Sequence, residues 1–146
     1  MRIYVEVHLQ GETNYTSHSA LVDTGAELSL IPLSIARNIG AWSTSQQTNV
    51  VGVHGQGRIL PIVIANLYFP SLNNVGGEVA FAMSDVEQEL IIGMDILRPL
   101  GIIVDTKTSK LSIKNEIWEA FKTLATVGVL VWGGIKALQK LSERNK

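Results

Sequence analysis

The 146-residue sequence contains no cysteine. Disulfides, thiolate metal sites, zinc knuckles and a cysteine nucleophile are therefore excluded. The redox compartment stays open, because a Cys-free domain tolerates either environment. Charge of one sign is lacking too. The formal net charge is −1, and Lys and Arg are scattered until the C-terminal end, with no basic stripe to engage nucleic acid. The start, Met1-Arg2-Ile3-Tyr4-Val5-Glu6-Val7, has no uninterrupted apolar run. It alternates, which argues against a secretory signal and makes a cytoplasmic location the default expectation. No internal repeat or low-complexity tract is present. His8, His18 and His54 show no metal-ligand spacing with one another or with acids, so neither metal nor cofactor is expected.

What is present suits one compact domain with a modest appendage. Apolar residues make up 46% and charged residues 17%, enough for a core and too apolar for disorder. Alternation predicts a strand over residues 2–9, a turn at Gln10-Gly11-Glu12, and strands at Ser17–Val22 and Leu28–Ile31. Pro32 suits the start of a short helix, Ser34–Asn38, stopped by Gly40. Val50 to Gly57 reads as a glycine-rich hairpin feeding a strand, Ile59–Tyr68. A turn at Asn73–Gly77 precedes a strand over Glu78–Met83. A polar loop, Ser84–Glu89, then leads to Leu90-Ile91-Ile92 and a helical stretch around Asp95–Leu97. Strands 102–105 and 110–114 close the series as a hairpin. Many short strands with close-set turns indicate a mostly β domain over residues 1–115.

The chemistry gathers at Leu21-Val22-Asp23-Thr24-Gly25-Ala26. Two apolar residues deliver a carboxylate to a tight turn, and a second apolar run ends on Gly93 far downstream. Asp-Thr-Gly is also an ordinary turn sequence. As chemistry, one such turn supplies half of a carboxylate pair. Two carboxylates sharing one proton can activate water and polarise an amide together, because like charges that close cannot both ionise. Thr24 offers a small hydroxyl to tie the turn to a symmetry mate. Gly25 offers a backbone conformation and an approach that a Cβ would obstruct. Asp95 and Asp105 also attract attention. Asp95 suits capping at a helix start and Asp105 the shaping of a hairpin turn, so neither is expected to be catalytic.

Over residues 2–115 the chain resembles the retropepsins, single-domain homodimeric aspartic proteases, in the retroelement and bacterial branch. Leu21 to Glu27 resembles the catalytic loop and Val51 to Gly55 the flap. Leu90 to Leu97 resembles the hydrophobic-hydrophobic-glycine motif with its helix, and 101–113 the closing hairpin. The resemblance implies a mostly β acid-protease barrel, one lobe per chain, with Asp23 catalytic once per protomer. It implies Thr24 in the network joining two loops, and Gly25 offering its carbonyl to substrate. Gly52, Val53, His54 and Gly55 would form the flap over an extended peptide. Ala26 and Ile91 would contact substrate, with Ile92 and Gly93 packed behind the loop. Met94 stands where many viral members carry an Arg, and Glu27 and Leu28 stand where acidic residues are common in some members. His54 is a polar residue where flap tips are often apolar.

Residues 116–146 lack proline and read as helical, with Ile117, Phe121, Leu124, Val131, Ile135 and Leu138 at helical spacing. From Thr123 to Ile135 there is no charge, a run shorter than the ~20 residues of a bilayer span. Lys136, Lys140, Arg144 and Lys146 follow as a basic flank. Such a segment either packs or oligomerises as a helix, or associates with a membrane through 117–138. The functional expectation is a homodimeric aspartic endopeptidase acting on extended peptides. The alternative is a catalytically weak or inactive dimerisation or peptide-binding module on the same fold.

Overall fold

The N-terminal alternation builds β1 (Ile3–Gln10), which returns as β2 (Tyr15–Val22) in antiparallel register from Ile3↔Val22 to Gln10↔Tyr15. The structure, a computed structural model, describes residues 2–51 and 57–114. Val7 and Leu9 point into the interior with no exposed surface, while Tyr4 faces outward, as a period of two requires. After the Asp23 turn comes β3 (Leu30–Pro32), then α1 (Leu33–Ile39). Pro32 stands just before the helix at φ −60° and ψ 141°. Gly40 ends it at φ 68°, a left-handed cap that glycine adopts without a Cβ penalty.

Next come β4 (Trp42–Val51) and β5 (Gly57–Phe69), paired antiparallel with a register shift between Ser43 and Gln47. A 3₁₀ turn (Pro70–Leu72) leads into β6 (Val75–Ser84), followed by β7 (Leu90–Ile92) and α2 (Met94–Leu97). β8 (Ile102–Asp105) and β9 (Lys110–Ile113) form a separate two-stranded hairpin. The main sheet runs β1-β2-β7-β3-β6-β5-β4. A short β1–β5 seam, His8–Gln10 against Asn66–Tyr68, closes six of its strands into a barrel and leaves β4 outside. Leu9, Ile31, Leu67, Phe69, Phe81 and Ile92 fill the interior, each fully buried. At about 1.5–3 kcal/mol per large apolar side chain removed from water, this cluster is the main source of stability.

The mostly β barrel expected from the sequence is what the chain forms. Two local expectations need correction. Residues 42–49, where the sequence pattern predicts no element, belong to β4, and Val50 and Val51 continue that strand opposite Arg58 and Gly57. The turn expected to run to Gly77 ends earlier: Asn73 and Asn74 take the left-handed backbone at φ 55° and 59°, and β6 already begins at Val75. Gly76 sits inside that strand because a Cβ there would lie 1.8 Å from the carbonyl oxygen of Leu67. Its smallness serves close strand approach, not a bend.

The flap residues Gly52, Val53, His54 and Gly55 and the expected C-terminal helix, with its 117–138 membrane alternative, lie outside the described residues. Among the described residues no helix is long and apolar enough to cross a membrane.

Candidate active site

Asp23 is placed by strands on both sides of it. β7 runs parallel to β2, with Ala20↔Leu90, Leu21↔Ile91 and Val22↔Ile92, and antiparallel to β3 through Leu30↔Ile91. Three residues thus wedge between the strand entering the Asp23 turn and the strand leaving it. The Asp23 amide donates to the Ile92 carbonyl at 2.9 Å, and the Ala26 amide donates to the Asp23 carbonyl at 3.1 Å, closing the turn. The Gly25 amide donates to Asp23 Oδ1 at 2.9 Å and fixes the carboxylate's direction. Val22 and Ile92 are buried on either side, whereas Asp23 itself is half-buried and Thr24 and Gly25 are exposed.

Gly25 is not in the left-handed region, so its part is space and not an unusual backbone. A Cβ there would stand 3.3 Å from Asp23 Oδ1, crowding the carboxylate. Gly93 is required more strictly. A Cβ would come within 2.8 Å of the Ala26 carbonyl oxygen and 3.1 Å of Leu28 backbone atoms, neither of which can turn away. The Met94 amide donates to that same Ala26 carbonyl at 2.8 Å. The second motif therefore holds the loop by backbone contact.

Ser29 is the residue that sequence reasoning missed. It has no exposed surface, yet every polar group on it is used. Its hydroxyl donates to Asp95 Oδ1 at 2.6 Å and accepts from the Gly93 amide at 2.8 Å. Its amide donates to Asp95 Oδ2 at 3.1 Å, and its carbonyl accepts from the Ala82 amide at 3.1 Å. Asp95 consequently does not cap α2. Gly93 holds the N-cap position, and Asp95 sits in the first turn and reaches across to Ser29. Only a small polar residue just past the acidic turn hinted at this role, and its partners lie 64 and 66 positions away.

Beside Asp23 lies a groove of about 510 Å³, walled by Ala26, Leu28, Leu30, Val50 and Ile91, with Glu27 and Asn49 adding polar atoms. The structure thus brings Asp23, Gly25, Ala26 and Ile91 together, with Ile92 and Gly93 behind them. Asp105 shapes its hairpin turn as expected: the Lys107 and Thr108 amides donate to Oδ1 at 2.9 and 3.4 Å, holding its carboxyl below the usual range. His8 is more engaged than a bare surface residue, with Nδ1 2.6 Å from the Tyr15 hydroxyl and Nε2 3.3 Å from Glu6. His18 lies 2.6 Å from Thr16 Oγ1, and partial burial pushes its pKa down. Among the described residues no group of three or more His, Asp or Glu side chains is disposed to hold a metal.

A family model described as "gag-polyprotein putative aspartyl protease" matches residues 9–99. EIAV protease complexed with the inhibitor HBY-793 superposes with a TM-score of 0.56 at 22% identity, covering 69% of this chain and 89% of that one. The retroviral protease-like domain of Ddi1 from Leishmania major superposes with a TM-score of 0.55 at 23% identity, covering 79% and 91% respectively. No curated protein matches the sequence. At these identities the two structures speak to the fold, and the fold is shared.

Proposed function

The chain belongs to the gag-polyprotein aspartyl protease family, and from that premise we propose that it is a retropepsin-type aspartic endopeptidase, active as a homodimer. Each protomer contributes one Asp23. The supporting observation is the Asp23 turn itself: a carboxylate aimed by the Gly25 amide, pinned by β7, and flanked by an exposed Thr24 that a second copy would cover.

Chemistry dictates the dimer. An amide is a poor electrophile and water a poor nucleophile, so attack needs a base and an acid at the same bond. Two Asp23 carboxyls facing each other share one proton, because both cannot be ionised at close range. The ionised one takes a proton from the trapped water, while the protonated one donates to the scissile carbonyl. The product is a gem-diol, which collapses as the leaving nitrogen is protonated. No covalent intermediate forms. Thr24 joins the two turns, Gly25 lets the peptide backbone come close, and Ala26 and Ile91 contact side chains beside the bond. The flap, Gly52 to Gly55, folds over an extended peptide by strand addition.

The protease unit is residues 1–115, with 116–146 as a separate segment for packing, oligomerisation or membrane contact. Comparing fractionation of the full chain with a truncation after Asn115 tests that division. For the activity, Asp23→Asn is expected to abolish peptide cleavage while thermal melting and sedimentation remain those of the parent dimer. Appreciable cleavage by the pure variant would refute the assignment. Peptide binding by the wild-type chain with no cut product from acid to neutral pH would favour the non-catalytic module.

A further inference from the structure

Among the described residues lining the Asp23 groove, Glu27 is the only other ionisable one. The remaining wall is largely aliphatic, with Leu28, Leu30, Val50 and Ile91. Glu27 is exposed, and its carboxylate has no hydrogen bond or ion pair among the described residues. The acids on the neighbouring β6–β7 segment and α2 are engaged: Glu89 takes Tyr4 and Arg2, Asp85 takes Arg58, and Asp95 takes Ser29. Next to Glu27, the Ala26 carbonyl is held by the amide of Met94, a residue that brings no cation. An unneutralised carboxylate on the rim of an apolar groove favours a cation carried by whatever fills that groove.

The backbone limits where that cation sits. The hydrogen bond from the Ala26 amide to the Asp23 carbonyl closes a turn that keeps those two Cα atoms within about 7 Å. One further residue places the Glu27 Cα within about 11 Å of the Asp23 Cα. An extended peptide rises about 3.3 Å per residue, so this reach spans roughly three residues.

We propose that Glu27 selects peptides bearing a lysine or arginine within about three residues of the cleaved bond, next to aliphatic side chains at the bond itself. This rests on the endopeptidase reading for cleavage, but the preference for a cation applies to binding alone as well. In a homodimer the second Glu27 repeats the preference on the other side of the bond.

The test uses the full chain and aliphatic decapeptides in which a single Lys, Gln or Glu is scanned through the positions flanking the bond. Wild type is expected to show a Lys-over-Gln ratio in kcat/KM of about tenfold at one or more positions, shrinking toward one in 0.5 M salt. Glu27→Gln should bring the ratio near one, and Glu27→Arg should favour the Glu peptides. Anisotropy of the same labelled peptides on Asp23→Asn reads the preference without catalysis. Efficient cleavage with no Lys preference would overturn this inference and leave the protease assignment standing. A Lys preference in binding with no cleavage by wild type would do the reverse. Neither binding nor cleavage of any peptide would overturn both.

Discussion

The Asp23 turn and the β4–β5 arm line the same groove, but they are built on opposite principles. The turn is held from every direction: β7 wedges between its flanking strands, Gly93 lies against its backbone, and Ser29 links it to Asp95 and β6. β4 has one neighbour, β5, and lies outside the closed barrel. Most of its residues are exposed, and on the arm Val51 stands 65% and Ile59 70% exposed. On the proposed reading, Asp23 has to meet its symmetry mate within hydrogen-bond distance and needs a fixed support. A segment proposed to admit a peptide needs a loose one, and an edge strand with little buried surface opens at low cost.

Two glycines sharpen the contrast, since a Cβ at either would meet an atom at 2.8 Å. At Gly93 that atom is the backbone oxygen of Ala26, which cannot move without dragging the Asp23 turn. Gly93→Ala is therefore expected to cost about 2–4 kcal/mol in urea unfolding, with activity lost in step. Next in size, Ser29→Ala leaves the buried Gly93 amide without its acceptor, and about 1–3 kcal/mol should disappear from the same measurement. At Gly57 the atom is the tip of the Asn49 side chain, which rotates away. Gly57→Ala should stay within about 0.5 kcal/mol of wild type. If Gly57→Ala proved as damaging as Gly93→Ala, the arm would be as constrained as the turn and the contrast would fail.

The smallest expected effect concerns how the arm is tethered. Arg58, at the start of β5, donates to Asp85 at 2.7 Å, and this hydrogen bond and the charge beside it lower the Asp85 pKa. A depressed folded-state value stabilises the fold above the unfolded carboxyl pKa of about 3.9, and that contribution fades as pH falls through the lower folded value. Asp85→Asn should flatten this part of the acid limb in a melting-temperature series from pH 6 to 2. A curve superposable on wild type would show that the pair does not hold the arm.

The same contrast governs what could be read from the residues. The Asp23 turn and Leu90-Ile91-Ile92-Gly93 were legible because each is a local pattern, apolar residues ending on a turn or a glycine. Strand alternation in β1 and β5 was legible for the same reason. β4 was not, because Ser43 to Asn49 shows only polar residues, so its half-buried face, with Thr44 and Thr48, carries no hydrophobic alternation. Gly76 looked like part of a turn, whereas the requirement is the nearby backbone of Leu67, which no local window contains. Asp95 suited a cap by position, but Ser29, 66 residues away, took its oxygens. Packing decides between uses that are equally good locally.

The hydrogen bond from the Asp23 amide to Ile92 has a consequence in time. Synthesis delivers residue 23 long before residue 92, roughly 3–14 s earlier at the usual 5–20 residues per second. Through that interval the acidic turn has neither its wedge nor the Gly93 backbone behind it. A half-made chain on the ribosome thus carries the Asp23 carboxylate before the strand and the glycine that hold its turn from behind have been made.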